Sequence, residues 1–237
     1  MVERAQRIIM EAELVVSFSG AGLSRESGIP TFRDTDGIWT TVDPMKMASV
    51  EGLLADPLEV ITWYDERRAF IASKEPNAAH RALAATPGMI HVTQNIDHLL
   101  ERAGLGGVIH LHGIIDRDHC QERCGHEEAV DPASPPGLRH CPVCGSLMRP
   151  SVVLFGEMLP QTEWFRAQAA MAAADAVVVV GTSGDVYPAA GLIDLARDYG
   201  ARIIVVNPEE TPQGREADVD IRGTAADVVP ALLGVRR

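Results

Sequence analysis

The feature that most constrains the fold is an apolar run, residues 14–18, followed at once by a glycine-rich segment, residues 20–33. Such a run is typical of a strand buried in a parallel sheet, and a glycine-rich turn after it lets backbone N–H groups approach a pyrophosphate. The first two glycines match the usual dehydrogenase fingerprint, but Arg25 occupies the third position and Gly28 comes too late. The segment therefore predicts a dinucleotide site without ordinary hydride transfer, although a glycine pair alone also occurs in plain tight turns.

Short β-branched runs alternate with amphipathic stretches along the chain. This alternation predicts an α/β fold, with a Rossmann-like parallel sheet covered by helices on both faces. The predicted strands are residues 14–19, 89–93, 108–111, 176–180, 202–206 and 219–221. The predicted helices are residues 2–12, 57–73, 78–85, 97–103, 162–174, 189–199 and 225–233.

Two segments interrupt this alternation. Residues 35–75 form a long, mostly helical detour, and residues 116–150 carry the four cysteines, several prolines and little periodicity. We expect both to be insertions that together form a small domain with a helical module and a zinc-ribbon module. The Rossmann-like domain would then be discontinuous and comprise residues 1–34, 76–115 and 151–237.

Composition excludes several classes of protein. The 237 residues are 46% hydrophobic, enough for a sizeable core, and no apolar run approaches the roughly 20 residues of a membrane span. The net charge of −12 argues against nonspecific nucleic-acid binding and is compatible with cationic, lysine-bearing partners. The first ten residues do not read as a signal peptide. We therefore expect a cytoplasmic protein with no membrane or nucleic-acid partner.

The cysteines form two pairs with the spacing of metal ligands. Cys120 and Cys124 are separated by three residues, and Cys141 and Cys144 by two. Four thiolates in this pattern predict a structural, tetrahedral zinc site. Reduced core cysteines or two disulfides are the alternatives, and a proline-rich segment in a reducing compartment favours neither. Because the first spacing is irregular, a neighbouring histidine could replace one ligand; the candidates are His119, His126 and His140.

Polar residues stand where two predicted strands end, at the edge where parallel sheets bind ligands. The segment Gln94-Asn95-Ile96-Asp97 follows residues 89–93, although Asp97 could simply cap a helix. Alternation places His110 and His112 on one face, and His112 at the strand end is better placed to reach a ligand. A neutral imidazole there could accept a proton from a sugar hydroxyl, the alternative being a structural histidine.

Two further strand ends carry hydroxyl, amide and carboxylate groups. Gly181-Thr182-Ser183 follows residues 176–180, and Asn207-Pro208-Glu209 follows residues 202–206. Such groups could hold ribose hydroxyls, whereas either segment alone could be a turn or helix cap. Several such ends on one sheet favour a binding site.

Taken together, these motifs resemble the sirtuins, NAD-dependent protein-lysine deacylases. The resemblance runs from about residue 14 to about residue 230 in the family's order. It rests on GAGLSRESGIPTFR, TQNIDHL, HLHG, the cysteine pairs, VVLFGEMLP, GTSGDVYPAA and the Asn-x-Glu at 207–209. It implies a Rossmann-like domain, a small domain with helical and zinc modules, and a cleft where NAD meets an acyl-lysine protein or peptide.

The resemblance also implies residue roles. His112 would be the general base, with Asn95 and Asp97 acting at the nicotinamide end. Products would be free lysine, nicotinamide and O-acyl-ADP-ribose. Backbone pairing with the peptide would come from Val152, Val153, Phe155, Gly156 and Glu157. The residues holding NAD would be Gly20, Ala21, Gly22, Ser24, Thr31, Phe32, Arg33, Trp39, Gln94, Asn95, Ile96, Asp97, Gly181, Thr182, Ser183, Asn207, Pro208, Glu209 and Ala225.

One helical segment bears on the choice of acyl group. Tyr64 and Arg67 lie three residues apart, so they share a helix face and could together bind a carboxylate. This resembles the sirtuin subgroup that removes succinyl, malonyl or glutaryl groups, with Ala48 leaving room for the longer chain. The alternative is a surface tyrosine and an arginine paired with Asp65 or Glu66.

Two other functions remain open at this point. NAD hydrolysis or ADP-ribosyl transfer would use the same early chemistry. A catalytically idle module that binds NAD or acyl-lysine would keep the motifs without turnover. The peptide-pairing motif and the intact His112 favour deacylation over both.

Overall fold

The computed structural model describes residues 1–31 and 37–235, apart from the side chain of Trp39. Phe32, Arg33 and that side chain, predicted to bind NAD, therefore lie outside the described residues. The strands in the described part are β1 Val15–Ser19, β2 Ile90–Thr93, β3 Ile109–His110, β4 Gly113–Cys120, β5 Glu127–Ala129, β6 Arg139–His140, β7 Leu147–Val152, β8 Ala176–Val180, β9 Arg202–Asn207 and β10 Val219–Arg222. The helices there are α1 Val2–Glu11, α2 Pro44–Met47, α3 Val50–Ala55, α4 Pro57–Ala72, α5 Ala78–Ala84, α6 Leu99–Arg102, α7 Gln161–Ala173, α8 Gly191–Asp198, α9 Pro212–Arg215 and α10 Ala225–Leu232.

The larger sheet has six strands in the order β10-β9-β8-β1-β2-β3. Every pairing in it is parallel, and β1 lies between β8 and β2. All five residues of β8 are buried, as a parallel strand covered on both faces requires. The Rossmann-like sheet expected from the alternation of strands and helices is therefore confirmed.

Helices cover both faces of this sheet. Alternate side chains of a strand point to opposite faces, so neighbouring valines of β8 enter different cores. Val178 packs in a cluster that includes Leu83 of α5 and Val229 of α10. Val177 packs on the other face in a cluster that includes Met171 of α7. The sheet is thus the middle layer of three, which leaves its strand ends free to form a site.

A second, antiparallel sheet has the order β5-β4-β7-β6. It is built from the segment in which the sequence shows little periodicity. Its strands are short and are stabilised by pairing with one another across the sheet. Helices α3 and α4 join this sheet through a shared apolar cluster, in which Ile61 and Tyr64 pack with Ile115 and Val152.

Some predicted bounds differ from the structure for local reasons. The predicted strand 108–111 is only Ile109–His110, and the predicted helix from 97 begins at Leu99. The Asp97 carboxylate accepts a hydrogen bond from the Leu99 N–H (3.1 Å), so Asp97 lies before the helix. The short helices α2, α3 and α9 were not predicted, although each follows a side-chain cap at Asp43, Ser49 or Thr211. Within the described ranges, no helix is long and apolar enough to cross a membrane.

Candidate active site

Two glycine-containing loops meet where β1 and β8 end. The Gly22 N–H donates to the Gly181 carbonyl (2.8 Å), and the Gly20 N–H donates to the Val180 carbonyl (3.0 Å). A Cβ on Gly22 would lie 2.6 Å from the Gly181 Cα. Gly181 itself has φ +61°, where a side chain is strained. Close contact between the loops therefore requires glycine at both positions.

A buried network of polar side chains connects this loop to the end of β2. The Ser24 hydroxyl donates to the Asp97 carboxylate (2.9 Å) and accepts from the Asn95 amide (3.2 Å). The Asn95 N–H donates in turn to the Thr93 hydroxyl (3.1 Å). Burial raises the pKa of Asp97, and hydrogen bonds from Leu99 and Ser24 oppose that rise. Asn95 and Asp97 are thus held in fixed orientations.

Sequence reasoning missed a fifth member of this network, His80. Its Nδ1 accepts a hydrogen bond from the Asn77 N–H (3.3 Å), so the ring proton of the neutral form is on Nε2, which faces the Ser24 hydroxyl at 3.4 Å. Burial lowers the pKa of His80 to about 4, so the ring is neutral at physiological pH. The local signal was helix capping by Asn77, which says nothing about the contact of His80 with Ser24, 56 residues before it in the chain.

His112 lies just before β4, at the junction with the end of β7. Its Nδ1 is 2.9 Å from the Gln94 carbonyl, so Nδ1 carries the proton in the neutral ring and Nε2 has a free lone pair. Burial lowers the pKa of His112, with the Gln94 hydrogen bond opposing. The neutral form, which can accept a proton, is therefore favoured near pH 7. The backbone carbonyl of His112 accepts from the Val153 N–H (2.9 Å), which places the ring beside residues 152–157.

The other predicted NAD contacts cluster around the ends of β8 and β9. The Asn207 amide donates to the Thr182 carbonyl (2.9 Å), and the Gln94 amide donates to the Thr182 hydroxyl (3.1 Å). These bonds tie three strand ends together. Ser183, Pro208 and Glu209 are exposed beside them, whereas Thr31 and Ala225 are buried and Ala21 and Ile96 are half-buried.

The segment predicted to pair with a peptide is only partly a strand. Val152 ends β7, and Phe155 forms a parallel bridge with Ser49. The Phe155 N–H donates to the Ala48 carbonyl (2.7 Å), and the Leu154 N–H donates to the Glu157 carboxylate (2.9 Å). These N–H groups, like that of Val153, are already engaged within the chain. A peptide strand along residues 153–155 would have to use other groups.

Arg149 stabilises residues 152–157 through its side chain, and sequence reasoning did not identify it. Its guanidinium is buried, donates to the Val152 carbonyl (3.1 Å) and pairs with the Glu157 carboxylate. Burial lowers the pKa of Arg149, with the charge of Glu157 opposing. The bend from β7 towards Ala48 is therefore held by a buried ion pair.

Tyr64 and Arg67 lie one turn apart on α4, where Tyr64 packs in the apolar cluster with Ile115 and Val152 and Arg67 faces the network around Ser24. Arg67 lines a small cavity with Ser24, Asn95 and Asp97. Tyr64 is 4% exposed, and burial raises its pKa. The Arg67 guanidinium lies 5.2 Å from the Trp63 ring centroid, and its Nε is buried without a hydrogen-bond partner. Among the described residues, Arg67 has no ion-pair partner.

The alternative pairing of Arg67 with Asp65 does not occur. Asp65 is bound instead by Arg68 and Arg139. Glu66 is exposed. Burial lowers the pKa of Arg67, with the charge of Tyr64 opposing. A half-buried guanidinium without a counter-ion at a cavity is a natural partner for a carboxylate.

The four cysteines form one cluster, as their spacing predicted. Their sulfurs lie within 4.8 Å of one another, with those of Cys120 and Cys144 3.4 Å apart and those of Cys124 and Cys141 3.6 Å apart. Disulfide sulfurs would be about 2.05 Å apart, so the disulfide alternative is wrong. Four thiols this close together can coordinate one zinc ion tetrahedrally. The ring nitrogens of His119 and His126 contact Ser151 and Glu128 instead.

The irregular first spacing is accommodated by the backbone. Arg123, just before Cys124, has φ +52°, the left-handed conformation, and its N–H donates to the Cys120 carbonyl (2.9 Å). This tight turn takes up the additional residue between the cysteines. All four cysteines can therefore serve as ligands, and within the described part of the chain the cluster contains no histidine.

Comparisons with known proteins agree with this geometry. The family model described as "Sir2 family" matches residues 20–188. Over 228 residues the chain is 46% identical to an "NAD-dependent protein deacylase" of Mycobacterium tuberculosis, covering 92% of this chain and 96% of that relative.

Two solved structures have the same fold. A Sir2 homolog in complex with NAD is 41% identical, with a TM-score of 0.92 and coverage of 98% of this chain and 92% of that one. A Sir2 variant with a deacetylated p53 peptide and 3′-O-acetyl ADP-ribose is 30% identical, with a TM-score of 0.86 and coverage of 98% and 97%. The cysteine cluster and the loops around Ser24 thus occur in a fold that binds NAD in one relative and a peptide in another.

Proposed function

The chain belongs to the Sir2 family, and from that premise we propose that it is an NAD-dependent protein deacylase that removes acetyl and longer acidic acyl groups from lysine. The observation that carries the proposal is the state of His112. Its ring is oriented through Nδ1 by the Gln94 carbonyl, and Nε2, which makes no hydrogen bond to the residues that the structure describes, keeps a lone pair that can accept a proton. The relative of Mycobacterium tuberculosis is named an NAD-dependent protein deacylase, a name that does not specify the acyl group.

NAD would lie across the carboxyl edge of the parallel sheet. Gly20, Gly22 and Gly181 let the backbone approach the pyrophosphate. Asn95 and Asp97, fixed by Ser24, would face the nicotinamide end. The cluster around Thr182 and Asn207, with exposed Ser183 and Glu209 nearby, would hold the adenosine half.

In the proposed reaction the acyl oxygen attacks C1′ of the nicotinamide ribose, and the C1′–N bond breaks as nicotinamide leaves. A ribose hydroxyl then attacks the acyl carbon while His112 Nε2 accepts its proton. Addition of water and release of the amine give free lysine and O-acyl-ADP-ribose. The reaction is an acyl transfer to ADP-ribose, so NAD is consumed.

We also propose the domain division on which this chemistry depends. Residues 35–75 and 116–150 would form the small domain, and the remaining residues the NAD-binding domain. The separate antiparallel sheet β5-β4-β7-β6 supports the zinc module as a unit. Helices α3 and α4 also pack against Leu99 and Val152 of the larger domain, so the two domains would meet at this apolar cluster. Zinc held by the four cysteines would stabilise the small domain without taking part in chemistry, because four thiolates leave no open position.

The acyl pocket is proposed to accept a carboxylate at its far end. Arg67 would bind it in an ion pair, Tyr64 would donate a hydrogen bond, and buried Ala48 would leave room for the chain. The support is the absence of any ion-pair partner for Arg67 among the described residues. A neutral tyrosine suits the donor role, since burial raises its pKa.

The test is the variant Arg67→Met assayed on succinyl-lysine and acetyl-lysine forms of one peptide. Losing the guanidinium leaves a desolvated carboxylate without its ion pair, which costs about 2–5 kcal/mol. Activity on succinyl-lysine should therefore fall tens-fold or more, and activity on acetyl-lysine should change little. Arg117→Met serves as the control, because Arg117 is a half-exposed arginine on β4 whose ion pair in the described part of the chain is with Glu127. Equal losses on both peptides would mean that Arg67 is structural.

The same assay separates the alternative functions. O-acyl-ADP-ribose should appear in step with free lysine. Free ADP-ribose without deacylation would indicate an NAD hydrolase or ADP-ribosyltransferase, and binding without turnover would indicate an idle module. Either outcome would refute the proposal.

A further inference from the structure

A second histidine, His110 at the end of β3, lies two residues before His112 in a different setting. The Nε2 of His110 is 2.8 Å from the Glu101 carboxylate on α6, and its Nδ1 is 3.1 Å from the Asn95 carbonyl. Neither the carbonyl nor the carboxylate can donate a proton. The ring must therefore donate from both nitrogens, which only the charged imidazolium can do.

The contact joins α6 to the loop that carries the site. His110 holds the Asn95 carbonyl, and His112 holds the adjacent Gln94 carbonyl, so two rings from one segment fix consecutive peptide groups. The His110 side chain is 13% exposed, so water competes weakly for these bonds. The second carboxylate oxygen of Glu101 is buried without a hydrogen-bond partner in the described part of the chain.

We propose that His110 and Glu101 form a positioning pair, which holds the Asn95–Asp97 loop in the shape that binds NAD. The inference rests on the proposed NAD-dependent function and adds residues that do not touch the substrates. Without its second ring proton, His110 would keep the charge-assisted bond to Glu101 and release the Asn95 carbonyl. The loop would then lose its fixed shape, and NAD would bind more weakly.

The surrounding charges agree with this assignment. Burial alone lowers the pKa of His110, but the hydrogen bond and charge of Glu101 outweigh it and raise the pKa above its ordinary value. Asp97 adds to that rise. The other titratable groups near the pair are His98, whose charge lowers the pKa of Glu101, and His80 and His91, each affected by the Glu101 charge.

The sign of the pH dependence follows. A histidine whose pKa is raised in the folded protein contributes fully below its ordinary value of about 6.5, and the contribution is lost as the pH rises through the raised value. Binding of NAD should therefore weaken on the alkaline side. Protonation of His112 limits the reaction on the acid side. Because burial lowers the pKa of His112, this limit lies below the ordinary pKa of histidine. The two histidines thus act on opposite limbs of the pH profile.

The test compares His110→Gln, Glu101→Gln and the double variant with the wild type between pH 6 and 9. The readouts are kcat and KM for NAD with an acetyl-lysine peptide, and NAD affinity by calorimetry. We expect KM for NAD in the wild type to rise at least threefold towards pH 9. In each single variant, KM for NAD should be about tenfold higher at pH 6.5 and should no longer depend on pH. The KM of the double variant should not exceed the higher of the two single-variant values.

His98→Gln is the matched control, because it removes a titratable ring beside Glu101 and leaves the pair intact. It should keep the wild-type pH dependence. A pH-independent KM in the wild type, or variants that lose activity equally at every pH, would overturn the inference. A wild type that consumes no NAD would instead refute the proposed function.

Discussion

Removing the charge of Asp118 is expected to destabilise the protein far more than removing a surface charge. Asp118 is fully buried on β4 and accepts hydrogen bonds from Arg68 (2.6 Å) and Arg139 (2.8 Å). Asp65 on α4 is bound by the same two arginines, with Arg139 donating at 2.8 and 2.9 Å. Two carboxylates and two guanidinium groups therefore balance each other between the helix and the antiparallel sheet.

The size of the effect follows from burial. Asp118→Asn keeps the side-chain volume but leaves two guanidinium groups against one carboxylate, where Arg68 is 3% exposed. Breaking a buried ion pair in this way costs about 3–5 kcal/mol, whereas an exposed pair is worth about 0–1 kcal/mol. Arg139 is 23% exposed, so water can compensate in part, and Arg139→Met should cost less, about 1–3 kcal/mol.

The assay is urea unfolding of the zinc-loaded protein, followed by circular dichroism and tryptophan fluorescence. Arg117→Gln is the control, because Arg117 is a half-exposed arginine on the same strand, and its free energy of unfolding should change by less than about 0.5 kcal/mol. Zinc content is measured for every variant, since Asp118 lies two residues from Cys120. The reasoning fails if Asp118→Asn stays within about 1 kcal/mol of the wild type, or if the control loses as much.

Three further outcomes are expected. His112→Ala should lower deacylation by about 10²-fold or more while calorimetry shows NAD binding largely retained, and near-wild-type turnover would show that His112 is not the base. In the wild type, kcat/KM should fall on the acid side only below about pH 6.5, since burial lowers the pKa of His112. Cys141→Ser should release the metal and unfold the small domain, because zinc binding is coupled to folding, and a metal assay that finds no zinc in the purified wild type would contradict the site. Gly181→Ala should weaken NAD binding and lower the melting temperature, since the new Cβ would lie 2.5 Å from the Gly22 carbonyl carbon; unchanged values would show that the loops can separate at little cost.

Local chemistry made several features predictable. The β8 run Ala176–Val180 could only be a strand covered on both faces, because it offers no polar face to water. The cysteine pairs predicted their cluster, because four thiols at that spacing have few other uses. The choice of His112 as the general base used its place before a glycine at a strand end together with the family resemblance, and that role stays a prediction.

The sequence by itself therefore determined the layered α/β fold, the metal-binding cysteines and the loops that carry the site, since these depend on apolar periodicity, turn residues and spacing over a few positions. Only the tertiary structure decided which charges pair. Asp65 binds Arg139, 74 residues away, and Arg67 has no ion-pair partner within the described ranges. His80 reaches Ser24, and His110 reaches the Asn95 carbonyl, across loops that fold back on each other. No local pattern specifies such contacts, because a buried polar group needs a partner but its own neighbourhood in the chain does not say which one.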